Sequence, residues 1–205
     1  MVLIRQKYVT GGDLRLSTIN RVIFVCSENT SRSPMAATIL ANIKQDIKVE
    51  SRGMVVLFPE PYNPKAVAIA AKHGFIIPNN SSEEINASDF GNDTLVLTMD
   101  SKMKQKIYDS FDEAINVYTL SEYVGEVDKE IINPYGKGME EYNLCFEQIY
   151  ELVSRVAVEL QDQDDSDLES DSEELEEDAN KEDIIVVPVI NGNNKRQGKG
   201  QIIKD

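Results

Sequence analysis

The chain has 205 residues, 41% of them hydrophobic, with two cysteines, one histidine and a net charge of −15. That length allows one ordinary domain with some chain left over, and the negative balance argues against a nucleic-acid partner. No run of about 18 apolar residues occurs, so no helix is expected to span a membrane; the N-terminal MVLIRQKYVTGGDLRL lacks the apolar centre of a signal peptide, so the protein is expected in the cytoplasm.

Residues 1–20 read as an extension ahead of the first element. Arg21–Cys26, RVIFVC, is a short continuous apolar run rich in β-formers, as in a buried parallel strand. Helix signals follow at Ser33-Pro34, a serine at the cap and a proline in the first turn. Met35, Ile39, Ile43 and Ile47, joined by Ala36 and Leu40, predict that helix's apolar stripe. Val49–Ser51 reads as a second strand, and the proline-rich FPEPYNP as a loop. A small-residue helix runs from about Pro64 and stops at Gly74. Thr94–Met99, TLVLTM, is a third strand, SKMKQKIYD a short helix, and Ile115–Leu120 a fourth strand. From about Gly138 to Leu160 the spacing places Tyr142, Cys145, Phe146, Ile149, Leu152, Val153 and Val156 on one helical face. Strands alternating with helices over residues 21–160 predict an α/β domain of three layers, a four-stranded parallel sheet with helices on both faces.

The acidity is concentrated beyond that domain. Residues 161–183 hold 13 acids and one lysine, a local net of −12, which leaves −6 for residues 1–160. So acidic and serine-rich a stretch buries too little apolar surface to offset its ordering entropy, and it reads as a disordered tail. Its simplest role is a solvated spacer. Residues 184–205 carry an apolar run interrupted by a proline and a net of +3; whether they dock as an edge strand or bind a partner stays open.

The chemistry is concentrated at Cys26-Ser27-Glu28-Asn29-Thr30-Ser31-Arg32-Ser33, between a strand end and a helix start. Backbone N–H groups in such a loop, with the dipole of the helix after it, form a cradle for a dianion. Arg32 offers a planar fork to two phosphate oxygens. The same positive field favours the thiolate of Cys26 and so makes it a nucleophile, and Ser33 is able to donate a hydrogen bond to that sulfur. A cysteine at a buried strand end is often only a small apolar residue; the strand before it and SRSP after it favour the anion site. The other cysteine, Cys145, falls on an apolar helical face, so no structural disulfide is expected. His73 stands alone and reads as a surface residue, with no Cys/His cluster to hold a metal and no cofactor implied.

VCSENTSRSPMA resembles the signature of the low-molecular-weight protein-tyrosine phosphatases, V-C-x-G-N-x-C-R-S-P-M-A. Ser51-Arg52-Gly53 resembles the family's S-x-G segment, LTMD its third strand, and Asn133-Pro134-Tyr135-Gly136 its D-P-Y/F-G. The resemblance covers roughly Arg21 to Leu160. It implies that Cys26 forms a phosphocysteine intermediate while Arg32 binds phosphate within a loop of Ser27 to Ser33. It also implies Asn29 as loop brace, Ser33 as thiolate partner, Tyr135 as a wall for a substrate ring, and phosphorylated protein as substrate.

Three departures stand out. Glu28 replaces a loop glycine, where the backbone is expected to favour positive φ. Ser31 replaces a second loop cysteine and with it a redox device. Asn133 replaces the general acid, a loss of roughly 10²–10⁴-fold in rate, unless Asp128 or Glu130 substitutes. The alternatives are a catalytically impaired phosphoprotein-binding module and a protein-arginine phosphatase of the same family, whose loop residue Thr30 resembles. An arsenate reductase of the same fold ranks low, because Cys145 is the one other thiol. Oligomeric state stays open.

Overall fold

The computed structural model describes residues 18–126 and 129–179, with residues 161–179 described by backbone alone. Four strands, β1 (Arg21–Cys26), β2 (Lys48–Gly53), β3 (Thr94–Thr98) and β4 (Val117–Thr119), form one parallel sheet in the order β2-β1-β3-β4. The helices are α1 (Arg32–Ile43), α2 (Pro64–Lys72), α3 (Ser101–Ser110), α4 (Leu120–Tyr123) and α5 (Met139–Ala179), with a short 3-10 turn at Ala87–Asp89.

β1 is central and buried on both faces, which is why it reads as continuous apolar sequence. Val22, Phe24 and Cys26 face one layer with the buried sides of α1, α2 and α5; Ile23 and Val25 face the other with Val96, Val117 and Ile107 of α3. The predicted stripe of α5, from Tyr142 to Val156, is fully buried, each residue at most 1% exposed.

Several boundaries differ from the sequence reading. The cap of α1 is Ser31 rather than Ser33, and the helix ends at Ile43. Ile43 is exposed and Ile47 lies beyond the helix, so the stripe reduces to Met35, Ala36, Ile39 and Leu40. β4 is three residues, because Leu120 already opens α4, where Thr119 accepts from the Glu122 N–H and the Glu122 carboxylate accepts from the Thr119 N–H. α2 ends at Lys72, and Gly74 at φ 85° turns the chain, with Gly74 N–H on Ala71 O and Phe75 N–H on Ala70 O. The backbone of α5 runs as far as Ala179. The remaining tail, the segment 184–205, the extension up to residue 17 and Asp128 lie outside the described residues.

At the N-terminal end of β1 and along β2 the sequence reading missed an ion-pair network. Arg21 reaches Glu50 (2.6 Å) and Asp89 (2.7 Å), and Arg52 reaches Glu50 (2.9 Å), Asp89 (3.1 Å) and Glu83 (3.1 Å). Burial alone raises the Glu50 carboxyl, but hydrogen bonds from Arg21, Lys48 and Arg52 overcome it and hold the group at about 2 against an ordinary 4.5. A carboxylate depressed in the folded state contributes stability above its unfolded value and loses it as pH falls through the folded one. The melting temperature is therefore expected to drop between pH 4.5 and about 2, and less steeply in Glu50→Gln, as followed by thermal denaturation. Equal slopes in the two proteins would assign the acid transition to other carboxylates.

Candidate active site

β1 delivers Cys26 to the C-terminal edge of the sheet, where the chain turns through residues 27–31 into α1. Cys26 is 4% exposed, with Arg32 and Ser33 buried beside it. The Ser33 hydroxyl lies 3.1 Å from Cys26 Sγ and 3.2 Å from the Arg52 carbonyl, so its one proton has two acceptors. Arg32 donates to Ser27 Oγ at 3.2 Å, and among the described residues no carboxylate pairs with its guanidinium. Ser31 caps α1 without a side-chain hydrogen bond, which leaves first-turn N–H groups of the helix for an anion.

Asn29 is fully buried at φ 57°, a conformation Asn tolerates better than other residues with a Cβ. Its Nδ2 donates to Ser33 Oγ (3.0 Å) and Ser51 Oγ (2.8 Å), and its Oδ1 accepts from the Glu83 N–H (2.9 Å). The left-handed residue of the loop is thus Asn29, not Glu28, so the strain expected at position 28 is absent and the Glu28 side chain is simply exposed. Thr30 and Ser31 are half-buried at the loop's far end.

Three backbone hydrogen bonds that the sequence reading did not foresee pin the loop: Met54 N–H to Cys26 O, Val55 N–H to Ser27 O and Asn63 N–H to Thr30 O. Gly53 sits directly under it, and a Cβ there would lie 2.9 Å from the Glu28 carbonyl carbon and 3.0 Å from Asn29 N. The S-x-G resemblance marked this glycine; the contact that demands it is long-range.

The segment around Asn133 leaves the same edge of the sheet. Thr98 is in register with Val25, so Met99 follows at the level of Cys26, and Met99 O accepts from Ile131 N–H at 3.0 Å. Ile132 O accepts from the Cys145 thiol at 3.2 Å. Burial pushes that thiol up to about 12, while Arg32 lowers it and Cys26 raises it, so α5 passes within electrostatic reach of the loop. Beyond Ile132, Asn133 is exposed and its Oδ1 accepts from Tyr135 N–H (3.2 Å), and Tyr135 is 72% exposed. Lys65 Nζ, from the first turn of α2, reaches Lys137 O and ties α2 to this turn.

Chemically, this is a buried thiol beside a hydroxyl donor, in a loop whose backbone and guanidinium suit a phosphate dianion. His73 is exposed, stacked on Phe146 at 4.5 Å and bonded to Asn143, away from the loop. Among the described residues no group of three His, Cys, Asp or Glu side chains is placed to hold a metal, and no helix is long and apolar enough to cross a membrane. Ser33→Ala is expected to slow alkylation of Cys26 by iodoacetamide at pH 6 about tenfold, the weight of one hydrogen bond to a charged sulfur. An unchanged rate would place the hydroxyl's proton on the Arg52 carbonyl in both states of the sulfur.

The family model of the low molecular weight phosphotyrosine protein phosphatases matches residues 21–167. Low molecular weight protein-tyrosine-phosphatase PtpB of Staphylococcus haemolyticus is 31% identical over 136 residues, covering 66% of this chain and 96% of its own. The protein-arginine-phosphatase of Geobacillus stearothermophilus is 33% identical over 144 residues, covering 69% of this chain and 96% of its own. The solved YwlE arginine phosphatase from that organism superposes with a TM-score of 0.66 at 30% identity, over 70% of this chain and 94% of its own.

Proposed function

We propose, for a chain that belongs to the low molecular weight phosphotyrosine protein phosphatase family, that it hydrolyses phosphate from phosphorylated protein through a phosphocysteine on Cys26. The observation that carries this reading is the Ser33 hydroxyl, 3.1 Å from Cys26 Sγ, in a loop braced by Asn29 and closed by the buried Arg32. Arg32 and the loop N–H groups bind the phosphate, and the thiolate attacks phosphorus in line with the leaving oxygen. Ser33 then supports the sulfur when water releases the phosphate. Tyr135, exposed beside Asn133, walls the substrate's side chain.

Asn133 takes the general acid's place, and an amide carries no proton to give. Unless Asp128 or Glu130 stands in, both the departure of the alcohol and the later attack of water proceed unaided, which makes turnover slow. The reading places the enzyme in the cytoplasm, where a catalytic thiol stays reduced. Incubation with p-nitrophenyl phosphate, acid quench and intact-mass measurement should show a phosphate adduct on the wild-type chain, mapped to Cys26, and steady release of nitrophenol. Cys26→Ser should release none. Release that persists in Cys26→Ser would sink the proposal; an adduct that forms once and does not turn over would favour a catalytically impaired phosphoprotein-binding module instead.

A further inference from the structure

On the reading that Cys26 attacks phosphorus and Asn133 faces the departing atom, we propose that the preferred substrates are acyl phosphates, mixed anhydrides carried on protein carboxylates. The argument lies in what the two sides of the site offer. On the attacking side the thiol, the Ser33 donor and the Arg32 fork are all in place. On the departing side, the turn held by Met99 and Cys145 presents Asn133, whose Oδ1 is already engaged with the Tyr135 N–H. Nothing at position 133 protonates a leaving atom, so the leaving group departs with the charge it acquires when its bond to phosphorus breaks.

That requirement ranks the chemistry. A carboxylate, with a conjugate acid of pKa about 4, leaves readily as an anion; a phenolate, near 10, leaves poorly; a guanidine, more basic still, leaves worst of the three. The first step balances with no acid: the thiolate forms the S–P bond, the P–O bond breaks, and the carboxylate keeps the electron pair. In the second step water displaces sulfur, giving dihydrogen phosphate and the thiolate, again without a proton from the protein. The mouth favours a protein-borne substrate over a free one. Val55, whose N–H is bonded to the loop at Ser27, leads into Leu57 and Phe58, 82% and 74% exposed, and Tyr135 is exposed as well.

The test compares kcat/KM, which reports the first step and not the hydrolysis after it. Probes are acetyl phosphate, aryl phosphates graded in leaving-group acidity down to phenyl phosphate, and phosphoarginine, each corrected with Cys26→Ser. The wild type is expected to favour acetyl phosphate over phenyl phosphate by about 10²-fold or more, and to be slowest on phosphoarginine. Asn133→Asp is expected to raise phenyl phosphate by about 10²-fold and acetyl phosphate by less than about threefold. A wild type that turns over phenyl phosphate as fast as acetyl phosphate overturns the proposal, since some other group must then supply the proton. No Cys26-dependent release from any probe is a different result and overturns the phosphocysteine reading beneath it. A protein phosphorylated on aspartate and freed of reagent should be a better substrate than acetyl phosphate; the reverse order overturns the protein source.

Discussion

Gly53→Ala is expected to lower kcat/KM by about 10²-fold, because displacing reacting groups by a fraction of an ångström to one ångström costs that much. The added methyl would lie 2.9 Å from Glu28 C and 3.0 Å from Asn29 N, both backbone atoms of the loop, and 2.8 Å from Val56 Cγ2. A side chain such as Val56 is able to rotate away. The loop backbone is not, since the N–H groups of Met54 and Val55, next to Gly53, and of Asn63 hold it by hydrogen bonds. The strain therefore moves Asn29, and through its amide the Ser33 hydroxyl that faces Cys26. Overpacking of this kind also costs roughly 1–3 kcal/mol of stability. Gly91→Ala is the control: its methyl would meet only the side-chain oxygens of Asp93 (3.1 Å) and Thr94 (3.5 Å), at the opposite edge of the sheet. Steady-state kinetics and thermal melting on both variants check the claim, and equal kinetics would show that the loop has room to spare.

Local signals located the thiol, the arginine and the serine, because the loop that unites them is continuous in sequence. Periodicity likewise located the α5 face, since a helix repeats its own register over many residues. What stayed hidden depends on partners far apart in the chain. Asp89 holds Arg21 from 68 positions away, and Glu83 donates its N–H to Asn29 from 54. No spacing rule reaches that far, so the Arg21–Glu50–Arg52–Asp89 network had no sequence signature. Element ends were blurred for another reason. Ile43 and Ile47 are apolar yet lie past the buried part of α1, and Leu120 passes from strand to helix through a capping box that alternating hydrophobicity does not register. The family signature suggested a left-handed residue at Glu28; backbone geometry moved it one position, to a side chain better suited to it. The asparagine at position 133 was legible in the family resemblance, but its exposure and its bond to Tyr135 N–H were not.

Asn29→Ala should destabilise the protein by roughly 2–4 kcal/mol, combining the loss of buried hydrogen bonds with the cost of a left-handed alanine. The variant strands the Glu83 N–H and removes the donor shared by Ser33 and Ser51. Two further substitutions separate these contributions. Asn29→Gly relieves φ 57° but adds backbone entropy to the unfolded chain, so its net recovery over alanine stays within about 1 kcal/mol. Asn29→Asp keeps the acceptor for the Glu83 N–H and tolerates the same backbone, yet it loses both donors and brings a negative charge to an anion cradle. Its stability should exceed that of Asn29→Ala while its KM for an aryl phosphate rises by tenfold or more, on the order of one lost charge-assisted contact. If instead Asn29→Asp kept the wild-type KM, the cradle would owe its charge preference to Arg32 and the α1 terminus alone. The brace would then act on shape, and kcat rather than KM would fall across all three variants.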